Sequence, residues 1–138
     1  MRLIQIQTHN LYLAWKDATP YLIDALALNQ DYKLDDMYKL CKEEKATLWM
    51  LYDNSLKKTR GAMVTEIFEH PQGRVLNIFL LGADSLDDVV HPLFPEFLEW
   101  LKLNNIVAIE CMGRFGLERL LKDLGFHKSY IVMRYNVN

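Results

Sequence analysis

The chain has 138 residues, 51% of them hydrophobic and 25% charged, which is enough for one domain with a sizeable core and unlike a disordered, collagen-like or low-complexity chain. Sixteen Lys and Arg against eighteen Asp and Glu leave a net charge of −2, so no basic excess drives phosphate-backbone binding and a general nucleic-acid binder is disfavoured. Cys41 and Cys111 lie too far apart for a disulfide framework, no run reaches the roughly 18–20 apolar residues of a membrane span, and the N-terminus lacks the features of a signal peptide. The expectation is a single domain over residues 1–138, in a reducing cytoplasm.

Leu3 to Gln7 alternates apolar and polar, the period of a strand. Thr8 is placed to cap a helix carrying Leu11, Ala14 and Trp15. Thr19-Pro20 reads as a fresh helix start, with Pro at the first helical position, and Tyr21, Leu22, Ala25, Leu26 and Leu28 as its packing face. A third helix over Leu34 to Lys45 sets Leu34, Met37, Leu40 and Cys41 at helical spacing.

The period then changes. Ala46 to Tyr52 reads as a strand closed by an Asp53-Asn54-Ser55 turn. Gly61 to Glu69 reads as a second strand, with Ala62, Val64, Glu66 and Phe68 on one face. His70 to Gly73 is a hairpin connection, and Arg74 to Leu81 a third strand ending at Gly82, so the three form an antiparallel meander.

Ser85-Leu86-Asp87-Asp88 has the spacing of a capping box. Val90, Leu93, Phe94, Phe97, Leu98 and Leu101 follow as an amphipathic stripe. Pro92 and Pro95 must sit in or near its first turn, or the helix starts later. Ile106 to Met112 is an almost unbroken apolar strand, suited to a central, twice-covered place in a sheet. Phe115 to Leu124 is a helix stopped by Gly125, and Phe126 to Tyr135 a final strand. The right-handed crossover rule sets the strands at 75–81 and 106–112 side by side and parallel. The fold class is therefore α+β: a mixed central sheet made of a meander followed by βαβαβ, with helices on both faces.

This order resembles the GNAT superfamily of N-acetyltransferases over nearly the whole chain, and Leu-Leu-Lys-Asp-Leu-Gly-Phe at 120–126 is similar to that family's ending of a last helix running into Gly-Phe and a closing strand. More narrowly, Val64-Thr65-Glu66-Ile67, Arg74-Val75-Leu76, Leu80-Leu81-Gly82 and Gly113-Arg114-Phe115-Gly116 are similar to a phage- and prophage-encoded GNAT-like group. The resemblance implies two parallel strands that splay apart, with the pantetheine arm of acetyl-CoA in the gap. Backbone at Phe79, Leu80, Leu81 and Gly82 would hold that arm, and amides from Ala83 through Ser85 to Asp87 would meet the pyrophosphate, where a helix N-terminus offers unpaired N–H groups and a positive dipole end. An amine would attack the thioester, aided by a base and an acid.

The sequence departs from the family at two places. Leu81 to Asp88 contains one glycine, no Arg or Gln, and three aspartates where the family has an Arg/Gln-x-x-Gly-x-Gly/Ala turn. Leu121 stands where many members carry a Tyr acid. Both point to weak, unusual or absent use of acetyl-CoA. Two functions therefore stand: an acetyl-CoA-dependent N-acetyltransferase acting on an unknown small-molecule or protein amine, or a non-enzymatic phage-type protein, virion-associated or directed at a phage or host partner, that keeps the fold without the cofactor turn.

Glu66 is the candidate base. Mid-strand beside the implied cleft, its carboxyl would be raised in pKa by desolvation; the alternative is a strand-edge Glu facing water or paired with Arg74. Glu110 would face the cleft or pair with Arg114 or Arg119. Gly113-Arg114-Phe115-Gly116 would hold a phosphate or acidic partner, or serve as a tight connection whose Arg bonds carbonyls. Cys111 has no Cys/His/Asp arrangement around it and reads as buried and unreactive. His9, His70, His91 and His127 are scattered, without metal-ligand spacing, so no metal is expected. Trp15, Tyr21, Trp49, Phe94, Phe97 and Trp100 read as core; an exposed Trp100 would instead mark an interface.

Overall fold

The computed structural model describes residues 1–27, 29, 31–112 and 115–137. Its strands are β1 (Arg2–Gln5), β2 (Thr47–Asp53), β3 (Lys58–His70), β4 (Gly73–Ala83) and β5 (Ile106–Cys111); its helices are α1 (Leu11–Leu26), α2 (Leu34–Lys42), α3 (Leu86–Leu103) and α4 (Phe115–Asp123). The sheet runs β1-β2-β3-β4-β5, antiparallel throughout except for the parallel β4–β5 pair. The meander and the parallel crossover thus stand as the residue patterns require.

Two cores flank the sheet. On one face α1 and α2 bring Leu11, Ala18, Leu22, Met37 and Cys41 against Leu48, Met50, Ala62, Val64 and Leu80. On the other, Val89, Leu93, Phe97 and Leu101 of α3 cover Trp49, Leu51, Met63, Leu76, Ile78 and Leu81. Strand alternation explains this division, since neighbouring residues such as Met63 and Val64 serve opposite layers. Thr65, the buried polar residue of the core, accepts a hydrogen bond from Trp49 Nε1 at 2.9 Å. Trp100 packs into the α3 layer, 4.8 Å from the Trp49 ring centroid, so it marks no interface.

Pro20 lies inside α1 instead of starting a new helix. The buried positions Leu11, Ala18 and Leu22 continue one stripe across it. Burying that stripe outweighs the roughly 3 kcal/mol that an interior proline costs. Thr19 Oγ1 bonds back to Trp15 O at 2.7 Å one turn earlier. Leu28 lies outside the described residues. Pro92 and Pro95 are likewise interior to α3, which begins at Leu86, and its buried stripe of Val89, Leu93, Phe97 and Leu101 again overrides them. Ser85 is the N-cap of α3, but no capping box forms. Its hydroxyl donates to Asp88 Oδ2 at 3.0 Å, and no side chain caps the helix.

The end of the chain departs most from expectation. β5, read as a central strand, has β4 as its single partner among the described residues, and Val107 and Ala108 are exposed. The segment read as a final strand carries no secondary structure from Phe126 to Val137. After α4, Gly125 takes a left-handed φ of 101° and Phe126 N–H returns to Leu121 O at 2.9 Å, a glycine-dependent helix stop. The residues beyond it make no ladder.

Gly82 shows why one strand position admits no side chain. A Cβ built there would lie 2.3 Å from the carbonyl oxygen of Tyr21, because α1 crosses β4 at this point. Gly82→Ala should therefore push α1 off the sheet and cost roughly 1–3 kcal/mol, the scale of an overpacked core, lowering Tm by roughly 3–10 °C. A melting curve unchanged by the substitution would contradict this crossing.

Candidate functional site

β4 holds one residue more than β3 can match. Thr65 pairs with Ile78 and Val64 with Leu80, leaving Phe79 as a bulge. The bulge switches the alternation, so Leu76 and Ile78 before it and Leu81 after it face α3, while Phe79 and Leu80 both face α1. Pairing between β4 and β5 also ends here, at Ile78 with Cys111. β4 then runs on through Phe79–Ala83 without β5 beside it. Pairing stops there because β5 itself ends at Cys111.

A cavity of about 30 Å³ sits in this gap, lined by Ala25, Ile78, Phe79, Leu80, Leu81, Cys111, Met112 and Leu117. That is room for one or two waters. The expected cofactor residues therefore divide. The Leu80 and Leu81 side chains are core, Gly82 is under α1, and Phe79 packs edge-on against Tyr32 at 4.8 Å. What the gap offers a ligand is the β4 backbone, with Met112 and Leu117 as its apolar walls.

The three aspartates at the start of α3 each have a partner of their own. Asp84 lies 3.8 Å from Arg60 Nε, Asp87 lies 3.9 Å from His91 Nε2, and Asp88 takes the Ser85 hydroxyl. No side chain caps the first amides of α3. Arg60, from the start of β3, also reaches Asp53 at 3.6 Å, and its buried Nε has no hydrogen-bond partner. A cation from a different strand thus lies beside the start of α3. Sequence spacing did not expose it, because Arg60 meets Asp84 through the pairing of β3 with β4, where Asp84 N bonds Arg60 O at 2.9 Å.

Glu66, Asn77 and Glu110 form a row across β3, β4 and β5, since Glu66 is in register with Asn77 and Asn77 with Glu110. Two strand spacings set the carboxylate-bearing backbones about 10 Å apart. Glu66 shares the α1/α2 face with Ala62 and Val64, and Asn77 Nδ2 approaches its Oε1 at 3.4 Å, a long contact. Burial raises the Glu66 pKa, against the smaller opposing effect of Asn77. Arg74 is not its partner: that guanidinium bonds Glu69 at 3.0 Å and Asn104 O at 2.6 Å. Among the described residues Glu110 makes no ion pair. Arg119 lies with Glu118, Lys122 and Asp123 around an open hollow on the outside of α4, and Gly113 and Arg114 lie outside the described residues.

The thiols are inert. Burial pushes Cys41 up to about 12, with Glu66 adding to the shift, and Cys111 up to about 11. The fold also gathers ligand atoms that spacing did not reveal, those of Asp87, His91 and Asp123, within 4.8 Å of one another. All three side chains are exposed, and such surface groups are common without an ion, so no site is assigned. Leu121, at the family's tyrosine position, is half-buried and carries no proton to give.

No protein-family model matches the chain, and no curated protein matches it in sequence. Solved structures match over nearly its whole length. An aminoglycoside acetyltransferase from an uncultured soil metagenomic sample, in complex with sisomicin, superposes with TM-score 0.71 at 9% identity, covering 99% of this chain and 96% of the other. A predicted acetyltransferase from Clostridium acetobutylicum, solved with acetyl-CoA, gives TM-score 0.70 at 13% identity over 99% and 96%. An acetyltransferase from Trypanosoma brucei gives 0.64 at 12% identity over 99% of both chains. At such identities the likeness is one of fold, and the fold is GNAT-like. The narrower likeness to phage proteins rests on the sequence segments alone.

The environment of Glu66 has a measurable consequence. The native state binds its proton more tightly than the unfolded chain, so its favourable contribution is present at low pH and is lost as pH rises through the elevated native pKa. Glu66→Gln should therefore gain stability relative to the parent between about pH 4 and about pH 7. Urea unfolding at the two pH values reads this directly, and an equal difference at both would refute the burial of this carboxyl.

Proposed function

We propose that the chain is an acetyl-CoA-dependent N-acetyltransferase acting on a small-molecule amine. The observation that carries this reading is that β5 ends at Cys111 while β4 runs on past the Phe79 bulge, which leaves Phe79–Ala83 without a β5 partner. An extended amide-bearing arm fits beside such backbone as an added strand would. The acetyl-CoA and sisomicin held by two neighbours of this fold support the ligand class and an amine acceptor.

Acetyl-CoA, when bound, supplies an acyl thioester open to attack by a neutral amine. Glu66 takes the proton that the amine must lose, and its raised pKa brings it closer to neutrality, where a base is most effective. Asn77 steadies the Glu66 carboxylate, and Glu110, next in the row, attracts the cationic end of an amine. The uncapped amides at Leu86–Asp88 would hold the pyrophosphate. Arg60 adds the positive charge there, and the aspartates, engaged with Arg60, His91 and Ser85, compete less for those amides than their number implies. Leu121 would offer no proton to a departing thiolate. Both unpaired cysteines suit a cytoplasmic setting.

One observation favours a second reading. The cavity where β5 ends is only about 30 Å³, so the pantetheine arm requires Met112 and Leu117 to move apart. If they do not, the fold serves as a non-enzymatic interaction protein of phage type.

Thermal melting with acetyl-CoA and with CoA separates the two. A ligand at about 100 times its Kd adds about 2.7 kcal/mol, a rise of several degrees, and no rise with either ligand defeats the cofactor reading. Where binding is seen, Glu66→Gln should lower kcat by roughly 10²–10⁴ with the Kd for CoA unchanged. Arg60→Met should weaken CoA but leave acetyl-pantetheine, which lacks the pyrophosphate, unaffected; equal losses for both would remove Arg60 from the phosphate site.

A further inference from the structure

We propose that the acceptor is an arylalkyl or alkyl amine with a single cationic centre, its ammonium held by Glu66 and Glu110 and its apolar body lying on the sheet face of Phe68, Val75 and Ala108. This names the acceptor of the proposed transfer, and it rests on that reading for the amine's role though not for its binding.

Strand registers place the face. Phe68 pairs with Val75 and Val75 with Ala108, so the three form a row across β3, β4 and β5. Glu66, Asn77 and Glu110 form the next row toward the Phe79 bulge, about 7 Å away by the rise of a strand. Alternation puts both rows on the face of Ala62 and Val64, since Leu76, Ile78 and Ile109 feed the α3 layer. The core under α1 and α2 takes Ala62 and Val64 from β3 and Leu80 from β4, and it stops there. Phe68 is left 42% exposed, with Val75 half-buried and Ala108 exposed. His70, next on that face of β3, sets its ring 6.2 Å from the Phe68 ring.

Charge decides what fits. In Thr65–His70, Gly73–Ile78 and Ile106–Cys111 the one Lys or Arg is Arg74, and its guanidinium bonds Glu69 and the carbonyl of Asn104, the C-cap of α3. The sheet thus supplies Glu66 and Glu110 with no cation of its own, and the row beyond them is apolar. An ammonium complements the carboxylates, and an apolar body gains by covering Phe68, Val75 and Ala108. A second cation, or a set of hydroxyls, would lose water against those side chains and find nothing to bond. Polyamines and aminosugars therefore suit this face less than an amine joined to a ring by a short chain. Its nitrogen would lie on the side of the face nearer Phe79–Ala83.

Fluorine NMR of para-fluorophenethylamine with the full chain, without cofactor, tests this. The parent should broaden the ligand signal, unlabelled phenethylamine should restore it, and spermidine should not. The uncharged alcohol of the same shape should show no broadening. Phe68→Ser should weaken binding roughly 10-fold. Ala108→Arg and Glu110→Gln should weaken it as well, each variant melting as cooperatively as the parent. No binding to the parent, equal binding of amine and alcohol, displacement by spermidine, or a Kd that none of the substitutions moves overturns the proposal. A parent dimer that Phe68→Ser dissolves would seat a second copy on the face and overturn it equally. Binding of the aryl amine by a chain that acetyl-CoA fails to stabilise upholds this site and defeats the transfer reading alone.

Discussion

Phe79 is the residue on which the arrangement turns. Without it, β4 would keep one alternation from Gly73 to Ala83, and Leu81 would face the same side as Val75 and Asn77. With it, Leu76, Ile78 and Leu81 all feed the α3 core, while Leu80 joins Val64 against Leu22 of α1. A bulge costs ladder hydrogen bonds and increases local twist. The bulge falls beside the last β4–β5 pair, Ile78 with Cys111, so the switch of alternation that serves two cores and the end of β5 coincide along β4.

Charge at the α3 N-terminus follows from the same pairing. The β3–β4 register places Arg60 beside Asp84, so a guanidinium from one strand faces the helix start that follows the other. Asp84 and Asp53 hold it at 3.8 and 3.6 Å, distances too long for strong bonds, and its side chain keeps some exposure. An anion with better geometry has something to gain there. The Glu66-Asn77-Glu110 row has the opposite sign and lies on the α1/α2 face, one pair of residues before the bulge. Cation and carboxylates thus sit on opposite sides of the Phe79 bulge along β4, the separation that the proposed acetyl-transfer reading requires.

The order of elements was legible because each depends on local period: alternation at 61–69, helical stripes at 86–103, the left-handed stop at Gly125. The crossover rule then placed the two parallel strands. What the sequence concealed was three-dimensional. Pro20 reads as a boundary, and only the burial of Ala18 and Leu22 on either side shows why a helix continues through it. Ser85 and Asp88 have capping-box spacing yet bond each other, leaving the amides open. Glu66 was visible as a carboxyl among apolar neighbours. Its alignment with Glu110 was not, since the two are distant in sequence and meet through registers that a bulge and a shift adjust. Arg60 was missed for a like reason: its environment is made by strand pairing, which leaves no motif in the chain.

β5 and the segment after α4 read as central and terminal strands for sound reasons, namely an unbroken apolar run and a β-branched, aromatic one. Each lacks the neighbour its composition demands. Apolar patterning records which surfaces must be covered and carries no information about which chain covers them. A strand composed for the interior but standing at an edge, and a second composed for a ladder but standing in water, are complementary faults. The segment is tied to the rest of the chain through Lys128 with Glu118 and Arg134 with Asp31, contacts made by charges and not by its apolar run. The sequence was thus a sound guide to which segments are composed for burial and a poor one to which of them the chain buries.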